Sequence, residues 1–372
     1  MTTVVFAVGT RPNFVKMAPV IEACGRRGLF RQLVVHTGQH YDERMSTEIL
    51  DDLGFPQPDR FLGIGSGSHG EQTGFTLVAF ERVLLEERPE LVVVSGDVNA
   101  TLACALAASK LGIRVAHVES GLRSRDWTMP EEQNRVLTDR LSDLLFTHSP
   151  EAHDNLEAEG IDPARIHYVG NTMIDTLRRL EREARARQTW TRYGARERGY
   201  ALITLHRPSN VDDEGSLRAV VDALVGLADR TKVLFPIHPR TRANLASGDG
   251  LARLEAAGVA CLDPLGYLDF LSLESGASII VTDSGGLQEE AAALGVPCFT
   301  LRANTERPIT ILQGTNTLIG DDPKAIADID PAGRAHAPCA IPLWDGKAAE
   351  RVADVLATAV ASSLDPRIAT SA

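Results

Sequence analysis

Short apolar segments alternate with longer helical patterns along almost the whole chain, and this alternation limits the possible folds more than any other feature. Five segments of the first half predict strands: residues 4–8, 33–36, 91–95, 115–119 and 144–147. Five segments of the second half do the same: residues 200–205, 232–237, 259–262, 278–282 and 298–301. Strands joined through helices form parallel βαβ units, and continuous apolar runs indicate strands that are buried on both faces. The sequence therefore predicts an α/β fold built on parallel sheets.

The alternation breaks between residues 176 and 198, where Arg and Glu are dense and apolar residues are few. At 372 residues the chain exceeds the length at which one hydrophobic core usually stops growing, so two domains are expected. We assign residues 1–174 to an N-terminal Rossmann-like domain and residues 175–357 to a C-terminal one, with the interrupting segment as a solvated linker helix. By analogy with folds of two Rossmann-like domains, the C-terminal helix, about residues 358–372, is expected to pack back on the first domain.

The composition narrows the class of partner. The net charge of −12 argues against broad binding to nucleic acid or to anionic membranes, because both need a basic face. No apolar stretch approaches the roughly 20 residues of a membrane helix, and the chain begins with a strand-like apolar run rather than a signal peptide. Five cysteines, odd in number and far apart in sequence, are typical of buried reduced thiols. We therefore expect a cytoplasmic protein.

Ionisable residues collect where the predicted strands of the first half end. Ligands of open α/β sheets bind at the carboxyl ends of the strands, so these residues are candidates for a site. The first-half candidates are Arg11, Lys16, Asp97, Glu119, Glu131 and Arg135. Two of them, Glu131 and Arg135, lie four residues apart and thus on one face of a predicted helix at residues 130–141. Carboxylates and cations from separate stretches are therefore expected to meet at one edge of the sheet.

The second half carries its candidates at the same strand ends. His206 and His238 each come directly after a predicted strand. The most specific segment is TDSGGLQEE (282–290), in which a strand ends, two glycines permit close approach of the backbone, and a helix begins. The free N–H groups and the dipole of a helix N-terminus form a phosphate site. Glu290, about one turn into this helix, is within reach of a ribose.

Taken singly, each of these features is more often structural, since strand-end carboxylates are often caps and paired glycines are often turns. Their convergence favours a site.

Three other patterns are rejected as cofactor sites. GSGSHG (65–70) matches the dinucleotide fingerprint without its strand context and is interpreted as a mobile loop. HVE (117–119) together with Pro297-Cys298 suggests a zinc deaminase, but Leu301 stands where the second cysteine of that motif must be. His36 and His40 are four residues apart, but Gly38 between them makes a helical metal-binding pair improbable. We therefore expect neither NAD nor a metal.

Eight motifs, in order along nearly the whole chain, resemble those of the non-hydrolysing UDP-N-acetylglucosamine 2-epimerases. They are GTRPNFVKMAP (9–19), SGD (95–97), HVESGLRS (117–124), MPEEQNRVLTDRLSD (129–143), VGNTMID (169–175), LHRPSN (205–210), TDSGGLQEEA (282–291) and TERP (305–308). The resemblance implies a GT-B-like fold, in which two Rossmann-like domains with parallel sheets face across a cleft and hold a UDP-sugar. It also implies a homodimer, no cofactor, the product UDP-N-acetylmannosamine and a role in polysaccharide biosynthesis.

The same motifs imply a role for each candidate residue. The catalytic set comprises Asp97, Glu119, Glu131, Arg135 and His206. Its three carboxylates would act as acid and base, and its two cations would support them. The substrate-binding set comprises Arg11, Lys16, His238, Phe270, Ser284, Gly285, Gly286, Glu290 and Arg307. Within this set, Arg11 and the turn at residues 284–286 would hold the nucleotide, Phe270 the uracil and Glu290 the ribose.

Inversion at C2 of the sugar needs such residues because the C2 proton is not adjacent to a carbonyl, which excludes simple enolate chemistry. Elimination of UDP from C1, with removal of the C2 proton, gives a glycal, and re-addition on the other face inverts C2. This path needs a base, an acid for the opposite face, and cations on the departing diphosphate. The sequence leaves open which carboxylate is the base and which is the acid.

Other activities stay open at this point. A 2-epimerase of a related UDP-2-acetamido sugar, such as a diacetamido-uronate, would use the same residues. A GT-B glycosyltransferase would need an acceptor site and leaves the carboxylates of the first half unexplained. A UDP-sugar sensor would have no use for so many ionisable groups, and a hydrolysing epimerase would release free sugar and UDP.

The chain departs from the family pattern at three places: Pro-Ser at 208–209 replaces a frequent Arg-Glu pair, Ile309 a frequent Glu, and Trp344 a usual Gly. Some bacterial members bind a second substrate molecule that activates the enzyme, through a glutamine-rich stretch after the second strand and through that Arg-Glu pair. Here the stretch (39–42) ends in Asp42, an acid where the diphosphate would lie. Repulsion of even a few kcal/mol would remove most of the occupancy. We therefore expect no strong substrate activation.

Overall fold

The computed structural model describes residues 2–38, 50–333 and 340–363. The chain forms two compact units: the first contains the residues up to Thr176 and those from Pro342 onward, and the second contains Leu177–Ile341. The second unit is thus inserted into the first along the sequence. The first boundary falls at Thr176 rather than at residue 174, and the return to the first unit begins at Pro342 rather than near residue 358.

The first unit is built on a seven-stranded parallel sheet with the order β3-β2-β1-β4-β5-β6-β7. Its strands are β1 (Thr3–Val8), β2 (Arg31–His36), β3 (Arg60–Phe61), β4 (Leu91–Ser95), β5 (Arg114–Val118), β6 (Leu144–Thr147) and β7 (Ile166–Tyr168). The helices that follow them are α1 (Arg11–Arg27), α2 (His69–Glu87), α3 (Asn99–Lys110), α4 (Pro130–Leu141), α5 (Pro150–Ala158) and α6 (Thr172–Arg187). The central strands β1 and β4 are buried along their whole length, as continuous apolar runs predict.

The second unit contains a six-stranded parallel sheet with the order β10-β9-β8-β11-β12-β13. Its strands are β8 (Tyr200–Thr204), β9 (Lys232–Pro236), β10 (Ala260–Leu262), β11 (Ile279–Thr282), β12 (Cys298–Thr300) and β13 (Asn316–Leu318). Its helices are α7 (Pro208–Val211), α8 (Glu214–Ala228), α9 (Pro239–Ala246), α10 (Gly250–Ala256), α11 (Tyr267–Gly276), α12 (Gly285–Leu294) and α13 (Ile309–Leu312).

Both sheets have the doubly wound order, in which the first strand of the unit pairs with the fourth. The chain reverses its direction of winding at these pairs, β1 with β4 and β8 with β11, and ligands of such sheets bind at that switch point. The predicted α/β fold with two Rossmann-like parallel sheets is therefore confirmed. Three strands of two or three residues each, β3, β7 and β13, were not predicted.

The segment that we expected to be a solvated linker is helical but partly buried. α6 buries Leu177 and Ala184 completely. Trp190, just after α6, packs against Gly276 at the end of α11, where a Cβ atom would lie 2.6 Å from the indole. The expectation of a solvated helix is wrong for this part because several of its few apolar side chains are buried.

The last helix, α14 (Ala348–Ser363), packs on α1 within the first unit. Arg27 of α1 forms ion pairs with Glu350 (2.8 Å) and Asp354 (2.6 Å). Asp175 accepts hydrogen bonds from the backbone N–H groups of the first two residues of α14, at 3.2 and 2.7 Å. Burial raises the pKa of Asp175 to about 6, against the lowering effect of these donors.

The cysteines agree with the expectation of thiols in the part of the chain that the structure describes. Cys24, Cys104, Cys261 and Cys298 are all free of disulfide bonds, and burial raises the pKa of Cys24 and Cys298 to about 12. Cys339 lies outside the described residues. Among the described helices, none is both long and apolar enough to cross a membrane.

Candidate active site

The candidate site of the first unit lies at the carboxyl edge of its sheet, where β4 and β5 end in tight turns. Gly96 after β4 has φ 68° and Glu119 after β5 has φ 67°, so both residues are in the left-handed region. Glycine adopts this conformation readily, whereas a residue with a side chain does so at a cost of about 1–3 kcal/mol. The Gly96 N–H donates to the Val118 carbonyl at 3.1 Å and joins the two turns. The fold thus holds Glu119 in a strained backbone conformation, as is common at functional sites.

Lys16 of α1 forms an ion pair with Glu119, and each of the two side chains is only 9% exposed. Glycine at position 96 leaves room for this pair, because a Cβ atom there would lie 3.3 Å from Lys16 Nζ. Asn13 of the same helix anchors α1 to β4 through Nδ2, which donates to the Ser95 carbonyl at 2.8 Å. The sequence analysis put Lys16 among the substrate-binding residues, whereas in the structure it forms an ion pair with Glu119, a candidate acid/base carboxylate.

Arg135 of α4 joins two carboxylates of the site. Its Nη2 lies 2.5 Å from Asp97 Oδ2, and its Nη1 lies 2.5 Å from Glu132 Oε2. Glu132 also accepts hydrogen bonds from the N–H groups of Ser124 (2.9 Å) and Arg125 (2.8 Å). Burial alone would raise the pKa of Glu132, but these donors and Arg135 hold it below its ordinary value. Glu132 is therefore an ionised anchor for Arg135 and for the loop before α4.

This pairing differs from the predicted one, which put Arg135 beside Glu131 on one helix face. The structure pairs Arg135 with Glu132, three residues earlier, and leaves Glu131 half-buried near the start of α4. Residues three and four apart are both neighbours on a helix, so spacing alone does not choose between two consecutive glutamates. Glu132 is thus a site residue that the sequence analysis missed.

In the second unit, His206 follows β8 and Asp283 follows β11, the two strands of the switch point. His206 Nδ1 lies 3.0 Å from Asp283 Oδ1. Asp283 also accepts hydrogen bonds from the Arg207 N–H (2.8 Å) and from Asn210 Nδ2 (3.0 Å). Burial alone would raise the pKa of Asp283, but the bond from His206 and the other donors hold it below its ordinary value. The His238 ring lies 5.8 Å from that of His206, so the two predicted histidines are neighbours.

The N-terminus of α12 follows Asp283 and has the form expected of an anion site. Ser284 is the N-cap residue but makes no side-chain hydrogen bond to the helix. The first N–H groups of a helix have no partner within the helix and can bind an anion. A Cβ atom at Gly285 would lie 2.7 Å from Glu306 Oε1 and would collide with the Arg307 guanidinium. Gly285 therefore makes room for these side chains, a reason that the sequence analysis did not foresee. Gly286 is the next residue of the helix.

Arg307 lies in a buried cluster of alternating charges. Its Nε is 3.0 Å from Glu289 Oε2, and its Nη1 contacts Glu306 Oε1. Glu306 in turn contacts Arg302 Nη2 at 2.6 Å. All four side chains are buried. Glu289 and Glu306 were missed by the sequence analysis, although both stand within motifs that it singled out, because a motif does not tell which of its acids hold a neighbouring arginine.

The remaining predicted residues fall at four places. Arg11 is the half-buried first residue of α1. Phe270 is half-buried on α11. Glu290 of α12 accepts a hydrogen bond from the Tyr267 hydroxyl at 2.9 Å. Asp42, on which the expectation about activation depends, lies outside the described residues.

Two rejected patterns can be compared with the structure. GSGSHG (65–70) is not only a loop: its Ser68 caps α2, with Ser68 Oγ accepting from the Glu71 N–H at 3.3 Å and the Glu71 carboxylate accepting from the Ser68 N–H at 2.9 Å. The interpretation as a mobile loop therefore fails at this cap. Within the described ranges, no three His, Cys, Asp or Glu side chains are arranged to share a metal ion.

Comparison with known proteins adds to this geometry. A family model described as UDP-N-acetylglucosamine 2-epimerase matches residues 22–357. The UDP-N-acetylglucosamine 2-epimerase of Methanocaldococcus jannaschii is 44% identical over 358 residues, which are 94% of this chain and 97% of that protein. The crystal structure of the M. jannaschii enzyme in complex with UDP-GlcNAc and UDP matches with a TM-score of 0.88 and 42% identity, covering 96% of this chain and 100% of that one. The UDP-2,3-diacetamido-2,3-dideoxy-D-glucuronate 2-epimerase of Pseudomonas aeruginosa is 42% identical over 317 residues, which are 84% of this chain and 87% of that protein.

Proposed function

Because this chain belongs to the UDP-N-acetylglucosamine 2-epimerase family, we propose that it interconverts UDP-N-acetylglucosamine and UDP-N-acetylmannosamine by elimination and re-addition of UDP. The observation that carries the proposal is the pairing of each of two candidate carboxylates with a buried cation. Asp97 is held by Arg135 and Glu119 by Lys16, at the carboxyl edge of the first sheet. Such pairs fix the position of a carboxylate that must meet one particular proton of the sugar.

In this mechanism a carboxylate of the first unit takes the C2 proton while the C1–O bond breaks and its electrons leave with UDP. Re-addition of UDP to the glycal, with a proton delivered to C2 from the opposite face, gives the epimer. Asp97, Glu119 and Glu131 are the groups that we propose to exchange these protons. The departing diphosphate needs positive charge, for which the N-terminus of α12, His206 and Arg11 are suited.

Incubation of the pure protein with UDP-N-acetylglucosamine alone tests the proposal against its rivals. We expect UDP-N-acetylmannosamine to accumulate to an equilibrium. Free sugar and UDP would indicate a hydrolysing epimerase, and an unchanged substrate would favour a glycosyltransferase or a sensor.

Turnover in deuterated water tests the elimination step itself. We expect deuterium at C2 of both epimers, without added NAD or metal ions, because the C2 proton passes through a solvent-exchanging carboxylate. Epimerisation without solvent label, or activity that a chelator abolishes, would contradict the elimination mechanism.

A second candidate is epimerisation of a UDP-diacetamido-uronate, since a relative of that name is 42% identical. The two substrates differ at C3 and C6 of the sugar, away from the reacting atoms. Comparing kcat/KM for the two under the same conditions decides between them, because the preferred substrate has the higher value.

We also propose a cytoplasmic homodimer, with a role in polysaccharide biosynthesis. α2 supports the dimer: Phe75, Val78 and Leu85 are exposed and lie three and seven residues apart on one face of the helix. An exposed apolar stripe of this kind is typical of an interaction surface, and a second copy of the chain is the occupant we propose. Replacing Phe75 and Leu85 by Glu should give monomers in light scattering, whereas a wild-type monomer would contradict the proposal.

A further inference from the structure

One buried hydrogen-bonded chain connects the segments that carry the candidate carboxylates of the first unit. His117 of β5 is fully buried. Its Nδ1 lies 2.7 Å from Asp139 Oδ1 of α4, and its Nε2 lies 2.8 Å from the Gly96 carbonyl oxygen. Asp139 is fully buried as well, and its Oδ2 accepts from the Gly121 N–H (3.1 Å) and from Arg123 Nη1 (2.8 Å). None of these residues belongs to the sets that the family motifs assigned.

The partners of His117 determine how many protons its ring carries. A carbonyl oxygen cannot donate, so Nε2 must be the donor toward Gly96. Independently of His117, Asp139 Oδ2 forms an ion pair with Arg123 Nη1 and accepts from the Gly121 N–H, so Asp139 is a carboxylate. The bonds from His117 and Arg123 hold its pKa below the ordinary value, although burial alone would raise it. Nδ1 is then the donor in its contact with Asp139. Both ring nitrogens carry hydrogen, which makes His117 an imidazolium.

This imidazolium is bonded or adjacent to the two turns that carry Asp97 and Glu119. Through Gly96 it holds the carbonyl that directly precedes Asp97. Glu119 comes two residues further along the chain, directly after β5, and through Asp139 the ring is tied to α4. Gly96 and Glu119 both have φ in the left-handed region, which glycine adopts readily but which strains the backbone of Glu119. Strained backbone of this kind persists only where its surroundings over-determine it, and charge-assisted hydrogen bonds are about twice as strong as neutral ones.

We propose that His117 is a positioning residue, which Asp139 keeps doubly protonated so that it fixes the turns of Asp97 and Glu119 for proton transfer. Because it is fully buried, it acts through these turns and does not touch the substrate. The inference rests on the proposed epimerase function of the same carboxylates.

The test replaces Asp139 by Asn, which keeps the size of the side chain but removes its charge. Asn can donate to Nδ1, so the ring becomes neutral while the bond to Gly96 persists. We expect kcat to fall by about 10- to 100-fold, the usual effect of losing the partner that orients a functional group, with UDP affinity unchanged. The matched control is Asp143→Asn at the other end of β5, where Asp143 Oδ2 accepts from the Val115 N–H at 2.8 Å. Its kcat should equal that of the wild type.

A second measurement reads the ring directly, by ¹⁵N NMR of protein labelled at histidine, with His117→Gln used to assign the signal. At about pH 8, where an ordinary imidazole is neutral, we expect both nitrogens of His117 to be protonated in the wild type and one in Asp139→Asn. A neutral ring in the wild type overturns the proposal, even if Asp139→Asn fails to fold. So does an Asp139→Asn enzyme with lowered melting temperature but the kcat of the control. A wild type that epimerises no UDP-sugar refutes the proposed function instead, and the NMR result is unaffected.

Discussion

Both units place site residues at the carboxyl edge of a doubly wound sheet, but the buried member of the pair is a cation in the first unit and a carboxylate in the second. In the first unit the buried partner is a cation: Arg135 has a 3% exposed side chain and holds Asp97, which is 27% exposed. In the second unit the buried partner is a carboxylate: Asp283 is 0% exposed and holds His206, which is 42% exposed. In both, the buried group orients a more exposed partner.

The difference teaches that the doubly wound order determines where a site lies, while the side chains determine what it can do. The first unit places carboxylates at the carboxyl edge of its sheet, which suits proton transfer. The second presents a histidine and a helix N-terminus, which suits an anion. If the first unit carries the catalysis and the second binds the nucleotide, as we propose, variants of the first should change kcat and variants of the second should change UDP affinity.

The largest effect is expected from the presented carboxylates of the first unit. Asp97→Asn, Glu119→Gln and Glu131→Gln should each lower kcat by about 10²-fold or more, the usual scale for an acid/base group. UDP affinity, measured by calorimetry, should be nearly unchanged because the second unit supplies the anion site. Glu255→Gln, on the exposed surface of α10, is the matched control. A variant of the three with near-normal kcat would show that its residue is structural.

The next effect concerns the anion site of the second unit. Gly285→Val should weaken UDP binding strongly, whereas Cys298→Ser on the neighbouring β12 should leave it nearly intact. Since a Cβ atom at Gly285 collides with Arg307, the loss could come from the arginine rather than from the backbone. Arg307→Gln separates the two causes: if the helix N-terminus binds the diphosphate, Gly285→Val should weaken UDP binding in that background too. Equal UDP affinity of Gly285→Val and the parent would contradict binding of the diphosphate at the N-terminus of α12.

A smaller effect distinguishes two buried aspartates, one from each unit, by the sign of their pH dependence. The pKa of Asp283 is lowered in the fold, so its contribution to stability is present above about pH 4 and is lost as the pH falls through the folded pKa. The pKa of Asp175 is raised from 3.8 to about 6, so its contribution, about 3 kcal/mol, is present below about pH 4 and is lost as the pH rises through about 6.

Melting temperatures across this pH range test the contrast. Asp283→Asn should destabilise the protein more at neutral pH than at acid pH. Asp175→Asn should destabilise the protein more at acid pH than at neutral pH. The reason is that the wild type itself loses the stabilising contribution of Asp175 as the pH rises through about 6, whereas an amide does not titrate. Parallel pH profiles for the two variants would refute the assignment.

The smallest effect is an expected absence. We predict hyperbolic kinetics with UDP-N-acetylglucosamine, and reverse turnover of UDP-N-acetylmannosamine that needs no priming, because Asp42 and the Pro-Ser pair at 208–209 disfavour a second bound substrate. Initial rates over a wide range of concentration measure this. A sigmoidal curve, or a reverse reaction that starts only when UDP-N-acetylglucosamine is added, would show that the activating site exists.

The sheets and the strand ends that carry the candidate site were predictable from local sequence. Continuous apolar runs identify the long buried strands, and parallel strands put their carboxyl ends on one edge, so Asp97, Glu119 and His206 could be found. The edge strand β3 could not, since it consists of two exposed residues and has no apolar pattern. Trp190 was missed for a related reason: one large side chain buried in a charged segment does not change its average composition.

The partners of the site residues were not predictable, because they depend on contacts between distant parts of the chain. Arg135 meets Asp97 across 38 positions of sequence, and His206 meets Asp283 across 77. Within a helix the difficulty is ambiguity rather than distance, as the choice between Glu131 and Glu132 shows. Sequence patterns identify what a strand end presents, and only the packed structure identifies what holds it.

The insertion of the second unit into the first has a consequence for biosynthesis. When residue 341 has left the ribosome, the second unit is complete, whereas the first still lacks everything from Pro342 onward. Until α14 has been translated, Arg27 lacks its two acidic partners and the carboxylate of Asp175 lacks its two N–H donors. A nascent chain therefore completes the second unit before the first. A premature stop codon directly after residue 341 would leave a complete second unit attached to an incomplete first one.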